Sequence, residues 1–341
     1  DGLRALAVIA VILFHAGVVG FSGGYVGVDI FFVISGYLIT SILLSDMTKG
    51  TFSLVGFYER RVRRILPALF FVILISVPFA WIWLIPSDME AFSKSILAVI
   101  ALVANIFFWR SSGYFHSGAE FKYLLHTWSL SVEEQYYLFF PIVLLIFWRA
   151  GIFRLTVLVL IVGLLSLGLS ELATYYKPVA SFYLLPTRAW ELMAGSLVAL
   201  VLFKRGARVS GGVLSEVFGA AGLCMLLYSI FWFDSNTPFP GLYTLVPVLG
   251  TMAVIVFANV HTVVGRLLGA GVFVGAGLIS YSVYLWHQPI LAFARHNGIL
   301  DFNAPKLVVY CSVLSVLSYF TWRYVEQPFR DRDRFSRQSV F

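Results

Sequence analysis

The sequence predicts an all-α, polytopic membrane protein with about ten transmembrane helices and one further re-entrant or tilted segment. Of its 341 residues, 60% are hydrophobic and only 12% are charged, which is not the composition of a soluble globular domain. The apolar runs are continuous over about 17–22 residues, whereas the strands of a membrane barrel would alternate polar and apolar residues. Because only helices and closed barrels satisfy their backbone groups in lipid, we interpret these runs as helices.

Five apolar segments lie in the first 150 residues. The first begins just after Asp1 and ends before the glycine-rich stretch 20–27, and the third follows a run of four arginines. A polar stretch, 110–127, separates the fourth from the fifth. The five segments are 3–19, 28–44, 66–86, 93–109 and 128–148. The glycines between the first two segments are interpreted as positions where helices pack closely, and they do not indicate a phosphate-binding loop.

Six more apolar segments follow, each bounded by short polar or basic stretches. They are 154–172, 187–203, 213–233, 242–259, 278–296 and 305–325. Loops rich in Lys and Arg are expected on the cytoplasmic side; these are 46–65, 149–154, 204–208, 259–266 and the tail from Arg323. Loops poor in basic residues are expected outside, and these are 20–27, 86–92, 173–186, 234–241 and 297–304.

In one place, the number of apolar segments disagrees with the sides of the membrane predicted for the loops. Residues 86–92 are predicted to lie outside and 149–154 inside, yet two apolar segments separate them. We therefore expect 93–109, together with 110–127, to form a re-entrant or tilted segment on the outer side, which places His116 outside. Ten full crossings remain, and both ends of the chain are predicted to be cytoplasmic.

Charge and cysteine usage narrow the classes of partner. The net charge of +7 is concentrated in short loops, so it indicates topology and membrane lipid, not a nucleic-acid surface. Cys224 and Cys311 both fall within apolar segments, so neither a disulfide framework nor a metal site is predicted.

The first apolar segment contains two strongly polar side chains beyond its first turn, Arg4 and His15. At 100° per residue they project from the same helix face, separated by roughly 16–17 Å along the axis. Ionisable groups within a membrane usually face the bundle interior and indicate a functional path. The alternative interpretation is that Arg4 extends to the interface and that His15 is a hydrogen-bonded core histidine.

Ionisable groups in other segments are predicted at a depth similar to that of His15. Their convergence is a stronger indication of a site than any one of them. The group consists of Asp29, His126, Glu133, Glu134, Arg188, Glu191 and His287.

Simpler explanations exist for most of these residues. Arg188 and Glu191, three residues apart, can pair with each other, and His287 can belong to an interfacial aromatic belt. Glu133 and Glu134 point 100° apart, so only one of them can face a cavity. The polar neighbours of Glu134 on its helix face, Ser131 and Tyr137, favour Glu134 as that residue. The run of arginines at Arg60, Arg61, Arg63 and Arg64 is explained most simply as a positive-inside anchor. No role is assigned to the remaining histidines, His116, His261 and His296.

Several motifs together resemble the membrane acyltransferase-3 family. In chain order they are DGLRALAVIAVILFH, GYVGVDIFFVISGYLI, RRVRRILPAL, LLHTWSLSVEEQYYLFFP, RAWELMAGSLVA, SYSVYLWHQP and VEQPFR. The resemblance extends over essentially the whole chain. Its most specific parts are the spacing of Arg4 and His15, the RxxR element and the TWSLSVEEQ stretch.

The resemblance implies a bacterial inner-membrane enzyme that transfers an acyl group, commonly acetyl from acetyl-CoA, to a carbohydrate such as O-antigen outside the cytoplasm. In similar proteins the Arg and His of the first helix are needed for activity, which implies such roles for Arg4 and His15. The RxxR element corresponds to Arg61 and Arg64, with Arg60 and Arg63 overlapping it. Members that modify lipopolysaccharide often continue into a periplasmic SGNH-type domain.

The sequence thus predicts an acyl-CoA-dependent O-acyltransferase. Acyl-CoA phosphates would bind a basic rim formed by Arg4, Arg60, Arg61, Arg63 and Arg64. His15 would act as a general base or as a transient acyl carrier, oriented by Asp29, Glu133 or Glu134. The alternative is a transporter or flippase of a lipid-linked or polysaccharide precursor that uses a proton relay, but the paired half-repeats typical of transporters are not visible.

The predicted domain organisation is a transmembrane acyltransferase domain over 1–330 and a cytoplasmic tail over 331–341. The chain begins at Asp1 without a methionine, so we expect it to be a fragment. On that expectation, the tail would start a linker to a removed C-terminal domain.

Overall fold

The computed structural model describes residues 1–112, 121–206, 212–299 and 303–331. Every regular element in these ranges is helical, which confirms the all-α prediction. His116, Arg208 and residues 332–341 lie outside the described residues, so the predictions made for them stay predictions.

Fifteen α-helices, α1 to α15, are numbered in chain order within these ranges. They are Gly2–His15, Gly27–Thr48, Leu54–Trp83, Pro86–Ile100, Ala104–Arg110, Thr127–Trp148, Ile152–Tyr176, Pro178–Tyr183, Leu185–Arg205, Val213–Trp232, Leu245–Phe257, Val263–Leu268, Gly271–His296, Ala304–Phe320 and Gln327–Arg330. A π-helical turn, Thr321–Glu326, joins α14 to α15.

Each of the ten predicted crossings corresponds to one helix. Seven stretches are long and apolar enough to span a membrane in the described part of the chain. Two shorter apolar stretches accompany them, Gly2–His15 and Leu242–Phe257, of which the second is a 3₁₀ turn, Leu242–Thr244, followed by α11. The 26-residue helix α13 covers the remaining predicted crossing. The chain is therefore a multi-pass membrane protein.

The segment predicted to be re-entrant is divided between α4 and α5. The break lies at Leu102, whose φ of 57° interrupts the helical backbone. Gln135 of α6 donates from Nε2 to the Leu102 carbonyl at 2.9 Å and to Asn105 Oδ1 at 2.9 Å. At about 1.5 Å per residue, the 15 residues of α4 extend roughly 22 Å, less than the ~30 Å of a hydrocarbon core. A re-entrant segment requires a short helix and an irregular backbone, as found here. That the segment is re-entrant stays a prediction.

Close helix contacts place the short helix α1 inside the bundle, where α2 and α13 pack against it. A Cβ added at Gly27 would lie 2.4 Å from the Ala7 carbonyl oxygen, and one at Gly277 would lie 2.1 Å from the Asp1 carbonyl oxygen. Only glycine permits these backbones to approach so closely. As a result, the two neighbours of α1 can bring their own polar side chains next to those of α1.

Candidate functional site

A cavity of about 350 Å³ runs between α1, α2, α3, α6 and α13. Arg4 and Arg64 lie at one end, and Ser129 and Tyr284 lie at the other. Most of the wall between the two ends is apolar, with Glu133 as its acidic member. The cavity is thus an elongated space with one cationic end.

Four guanidinium groups converge on the basic end. Arg4 contributes from α1, where its Nη1 lies 3.7 Å from Asp1 Oδ1, and Arg61 and Arg64 contribute from α3. The Arg61 guanidinium also lies over the Tyr137 ring, 4.1 Å from its centroid. The fourth guanidinium, that of Arg330, comes from the far end of the chain. Such a group of planar cations is suited to binding phosphates through charge-assisted hydrogen bonds.

Two of the arginines predicted to join this rim lie elsewhere. Arg60 pairs with Asp46 at 2.7 Å, and the buried Arg63 pairs with Glu59 at 3.0 Å. The reason is helical geometry, because residues 60 and 63 leave α3 in directions different from those of 61 and 64. The structure therefore divides the basic run into two residues on the cavity and two outside it.

Arg330 is held in place by a buried acidic residue. Glu326 is fully buried, and its Oε1 lies 2.6 Å from Arg330 Nη2. Ser282 of α13 donates to Glu326 Oε2 at 3.0 Å. Glu326 is the last residue of the π-helical turn, a feature often found at functional sites. The sequence contained the VEQPFR motif, but its spacing alone did not assign Arg330 to the rim.

The two adjacent carboxylates of α6 have different environments. Glu133 lines the cavity and accepts hydrogen bonds from the hydroxyls of Ser35 and Tyr137. Glu134 is not part of the cavity wall, and its buried Oε1 has no hydrogen-bond partner. This placement differs from the sequence-based expectation, which favoured Glu134. Glu134 had been favoured because Ser131 and Tyr137 are its i−3 and i+3 neighbours, but Tyr137 is also the i+4 neighbour of Glu133 and lies as close to it along the helix.

Three histidines, from the end of α1, the N-cap position of α6 and α13, meet behind the Ser129–Tyr284 end of the cavity. The ring centroids of His15 and His287 are 5.2 Å apart, as are those of His126 and His287. Tyr284, which lines the cavity, lies 5.4 Å from the His126 ring and 5.1 Å from the His287 ring. Its hydroxyl is 2.6 Å from Ser129 Oγ. Tyr284 therefore separates the cavity from the histidine cluster formed by His15, His126 and His287.

Backbone carbonyls determine the tautomers of two of these rings. His15 Nδ1 lies 2.9 Å from the Val11 carbonyl oxygen, and His287 Nδ1 bonds to the Tyr284 carbonyl oxygen. Because a carbonyl can only accept, each Nδ1 carries the proton, and each neutral ring keeps a lone pair on Nε2. His287 Nε2 and both ring nitrogens of His126 are buried without a hydrogen-bond partner. The cluster thus presents basic nitrogens that can accept a proton.

Arg295 fixes the end of α1 beside this cluster. Its guanidinium donates from Nη2 to the carbonyl oxygen of His15. Sequence reasoning did not identify Arg295, Tyr284 or Ser129. The only available signal was their position in segments that also carry His126 and His287.

Asp29, Arg188 and Glu191 form a separate buried ionic cluster. Arg188 lies 3.0 Å from Asp29 Oδ1 and 2.9 Å from Glu191 Oε1, and all three side chains are at most 1% exposed. The predicted pairing of Arg188 with Glu191 is confirmed. Asp29 had been expected to orient the imidazole, but its carboxylate faces Arg188 instead, since a buried carboxylate is stabilised by an opposite charge. Four aromatic rings surround this guanidinium, those of Phe32, Trp128, Phe182 and Phe239.

The arrangement as a whole can bind an elongated anionic molecule and act on it at one end. The guanidinium end would hold negative charge, and the apolar walls would exclude water from a neutral segment. Basic imidazole nitrogens lie just behind the opposite end, within the reach of general-base chemistry. Among the described residues, His, Cys, Asp and Glu form no group of three or more that could hold a metal ion.

Comparison with known proteins identifies one family. The model of a family described as an acyltransferase domain matches residues 1–323. This range includes α1 to α14 and the residues of the histidine cluster. No solved structure matches the chain significantly.

Curated relatives match nearly the whole chain with similar sequence identity, about 30%. The peptidoglycan O-acetyltransferase OatA of Listeria monocytogenes is 31% identical over 346 residues, which cover 97% of this chain and 55% of the relative. The O-acetyltransferase OatA of Staphylococcus aureus strain NCTC 8325 is 29% identical over 97% of this chain and 57% of its own length. The chain thus spans just over half the length of the curated relatives it matches.

Proposed function

The chain belongs to the acyltransferase domain family, and from this membership we propose that it transfers an acyl group from acyl-CoA to a hydroxyl of a cell-surface carbohydrate. Acetyl is the proposed group, because relatives from two genera carry the name O-acetyltransferase. The observation that carries the proposal is the single cavity that leads from four guanidinium groups to the wall of a three-histidine cluster.

The donor part of the proposal rests on charge and shape. Acyl-CoA is a long, polyanionic molecule that supplies an acyl group activated as a thioester. Its phosphates would bind Arg4, Arg61, Arg64 and Arg330, and its neutral arm would lie along the apolar wall toward Tyr284. The volume of about 350 Å³ falls within the ~300–1,000 Å³ of typical ligand cavities.

The protein's own contribution to the chemistry is proton transfer and positioning. The imidazole of His15, held through Nδ1 by the Val11 carbonyl, would take the proton of the acceptor hydroxyl on Nε2. His287, with the same tautomer, lies beside it and can share that proton. As the acyl–oxygen bond forms and the thioester C–S bond breaks, the proton would pass to the departing CoA sulfur. Buried side chains around the cluster would keep water away, so that the carbohydrate hydroxyl and not water is activated.

The acceptor part of the proposal is a glycan hydroxyl outside the cytoplasm. One relative is named for peptidoglycan, whereas the sequence resemblance implied O-antigen. Both are polyhydroxylated surface carbohydrates, so we propose a surface carbohydrate as the acceptor. The activity assay compares the two. A C-terminal SGNH-type domain in the full-length protein stays a prediction.

The proposed location is the cytoplasmic membrane, with the guanidinium end of the cavity facing the cytoplasm, where acyl-CoA is made. In a background that lacks Cys224 and Cys311, a Lys49→Cys variant should react with an impermeant maleimide only after permeabilisation. A Ser235→Cys variant should react without it. The reverse pattern would overturn the proposed orientation.

A direct assay tests the activity. Purified chain in detergent is incubated with radiolabelled acetyl-CoA and either peptidoglycan disaccharide or an O-antigen fragment, and labelled product is measured. Product formed without any membrane gradient supports the enzyme. Absence of both labelled product and thioester cleavage would overturn it and favour the alternative, a proton-coupled transporter of a carbohydrate precursor.

A further inference from the structure

A second cavity, of about 150 Å³, lies at the opposite end of α13 from the basic cavity. Its walls come from α4, α5, residues 121–123 and His296, the last residue of α13. About 18 Å of helix separates His296 from Tyr284, at the inner end of the first cavity. The histidine cluster therefore lies between the two cavities.

Aromatic rings form most of the wall of the second cavity. Tyr123 and Phe92 meet edge to face, with centroids 5.7 Å apart. Phe121 stands at the rim and is 37% exposed, so its ring is available to a ligand. The remaining rings are those of Phe107 and Phe108. Ring faces carry partial negative charge and attract the weakly positive C–H groups of a sugar ring.

Polar groups accompany these rings and are held in position. Lys122 donates from Nζ to the Ser111 carbonyl at 2.9 Å, and His296 Nε2 donates to the Trp83 carbonyl at 2.8 Å. Asp88 adds a carboxylate that can accept hydrogen bonds from hydroxyls. Partial burial lowers the pKa of Lys122 below its ordinary value.

This mixture of groups fits a sugar better than a lipid chain. An acyl chain in the cavity would remove water from Asp88 and Lys122 without offering either of them a hydrogen bond, which is unfavourable. A sugar offers hydroxyls to both and a C–H face to the rings. The cavity is smaller than the ~300–1,000 Å³ of sites for drug-sized ligands, so it suits one sugar unit.

The wall of the second cavity is close to the histidine cluster along the chain and through one hydrogen bond. Tyr123 and His126 are three positions apart in the sequence, a stretch of at most about 10 Å of chain. Gln288, which follows His287, donates from Nε2 to the Lys122 carbonyl at 3.1 Å. Residues 122 and 123 of the cavity wall are therefore neighbours of the cluster, on its side away from the basic cavity.

We propose that the second cavity is the acceptor subsite, binding one sugar unit of the surface carbohydrate through its aromatic wall, Asp88 and Lys122. The proposal rests on the proposed function, because it names the place where the glycan binds. It also assigns the two substrates to opposite sides of the histidine cluster.

The test measures glycan binding separately from chemistry. Saturation-transfer NMR on the purified chain in detergent reports binding of peptidoglycan disaccharide or an O-antigen fragment. Phe121→Ala should weaken binding about tenfold, and Asp88→Asn several-fold, because an aromatic anchor and a hydrogen-bond acceptor are lost. Acetyl-CoA affinity, measured by calorimetry, should be unchanged in both variants, because the guanidinium groups line the other cavity.

The matched control is Tyr176→Ala, which removes an aromatic ring that is 78% exposed and outside both cavities. It should bind the glycan as the wild type does. A wild type that binds neither fragment, or Phe121→Ala and Asp88→Asn variants that bind like the wild type, overturns the subsite. A wild type that binds a fragment but neither forms labelled product nor cleaves acetyl-CoA overturns the proposed function instead, so the two failures are distinguishable.

Discussion

His15 and His287, which come from opposite ends of the sequence, have imidazole rings with centroids 5.2 Å apart. Each ring donates through Nδ1 to a backbone carbonyl of its own helix, so each presents Nε2 as a base. Helix α13 packs along α1, and Gly277 lets it approach closely at the Asp1 end. Two bases are thereby concentrated at one point of the bundle.

His15→Ala should lower acyl transfer by ~10²–10⁴-fold, because a general base is lost from the transition state. Acyl-CoA affinity should stay close to that of the wild type, since the change does not affect ground-state binding at the guanidinium end. Moving the ring by one residue, as His15→Ala with Ala16→His, rotates it by 100° and should not restore transfer. Calorimetry and product formation on the same variants measure both quantities. Transfer at a near wild-type rate by His15→Ala would place the site elsewhere.

Replacing both Arg61 and Arg64 by Ala should weaken donor binding. Each lost charge-assisted hydrogen bond is worth about 1.5–3 kcal/mol, so the dissociation constant should rise at least tenfold. Arg60→Ala is the matched control, because Arg60 belongs to the same helix but pairs with Asp46 outside the cavity. If Arg61 and Arg64 only determined the orientation of the chain in the membrane, the correctly inserted double variant would bind the donor as tightly as the wild type.

Glu326→Gln should raise the donor KM several-fold by releasing Arg330, although Glu326 itself does not line the cavity. Arg330→Ala should raise it at least as much. Because both changes act through the same guanidinium, the double variant should be no worse than Arg330→Ala. Steady-state kinetics with varied acyl-CoA measure this, and additive effects would contradict the positioning role of Glu326.

Glu133→Gln should reduce transfer more than Glu134→Gln, because only Glu133 lines the cavity and holds the Ser35 and Tyr137 hydroxyls. Initial rates on purified variants with matched thermal stability make the comparison. Equal, mild losses in both variants would argue that neither carboxylate orients a reacting group.

Arg188→Met should strongly reduce the yield of folded protein, because Asp29 and Glu191 would be left buried without their cation. Breaking a buried ion pair typically costs about 3–5 kcal/mol. Asp29→Asn should lower the melting temperature in detergent more than it lowers the turnover of the folded fraction. An Asp29→Asn variant with wild-type melting temperature and no transfer would instead support the sequence-based role of Asp29 in catalysis.

The helices were predictable from the sequence because their signals are local. An apolar run of sufficient length has to become a helix in lipid, and basic loops indicate its ends. The shared face of Arg4 and His15 follows from the period of a single helix. For the same reason, the sequence could predict that Arg188 pairs with Glu191, three residues away.

Contacts between helices were not predictable in this way. Helical periodicity shows which residues of α3 share a direction, but not that Arg61 and Arg64 face the cavity while Arg60 meets Asp46. Likewise, Asp29 joined Arg188 and not an imidazole, because the packing of α2 against α9 decided which opposite charge lay within reach.

The sequence by itself determined the all-α membrane class, the order of the helices and the polar residues that a bundle interior would have to accommodate. Only the tertiary structure joined His126 and His287 to His15, brought Arg330 to the guanidinium end and separated two cavities by the histidine cluster. The physical reason is that backbone hydrogen bonds and hydrophobicity act within one helix. The neighbours of that helix depend on close backbone contacts, such as those at Gly27 and Gly277, which local patterns do not specify.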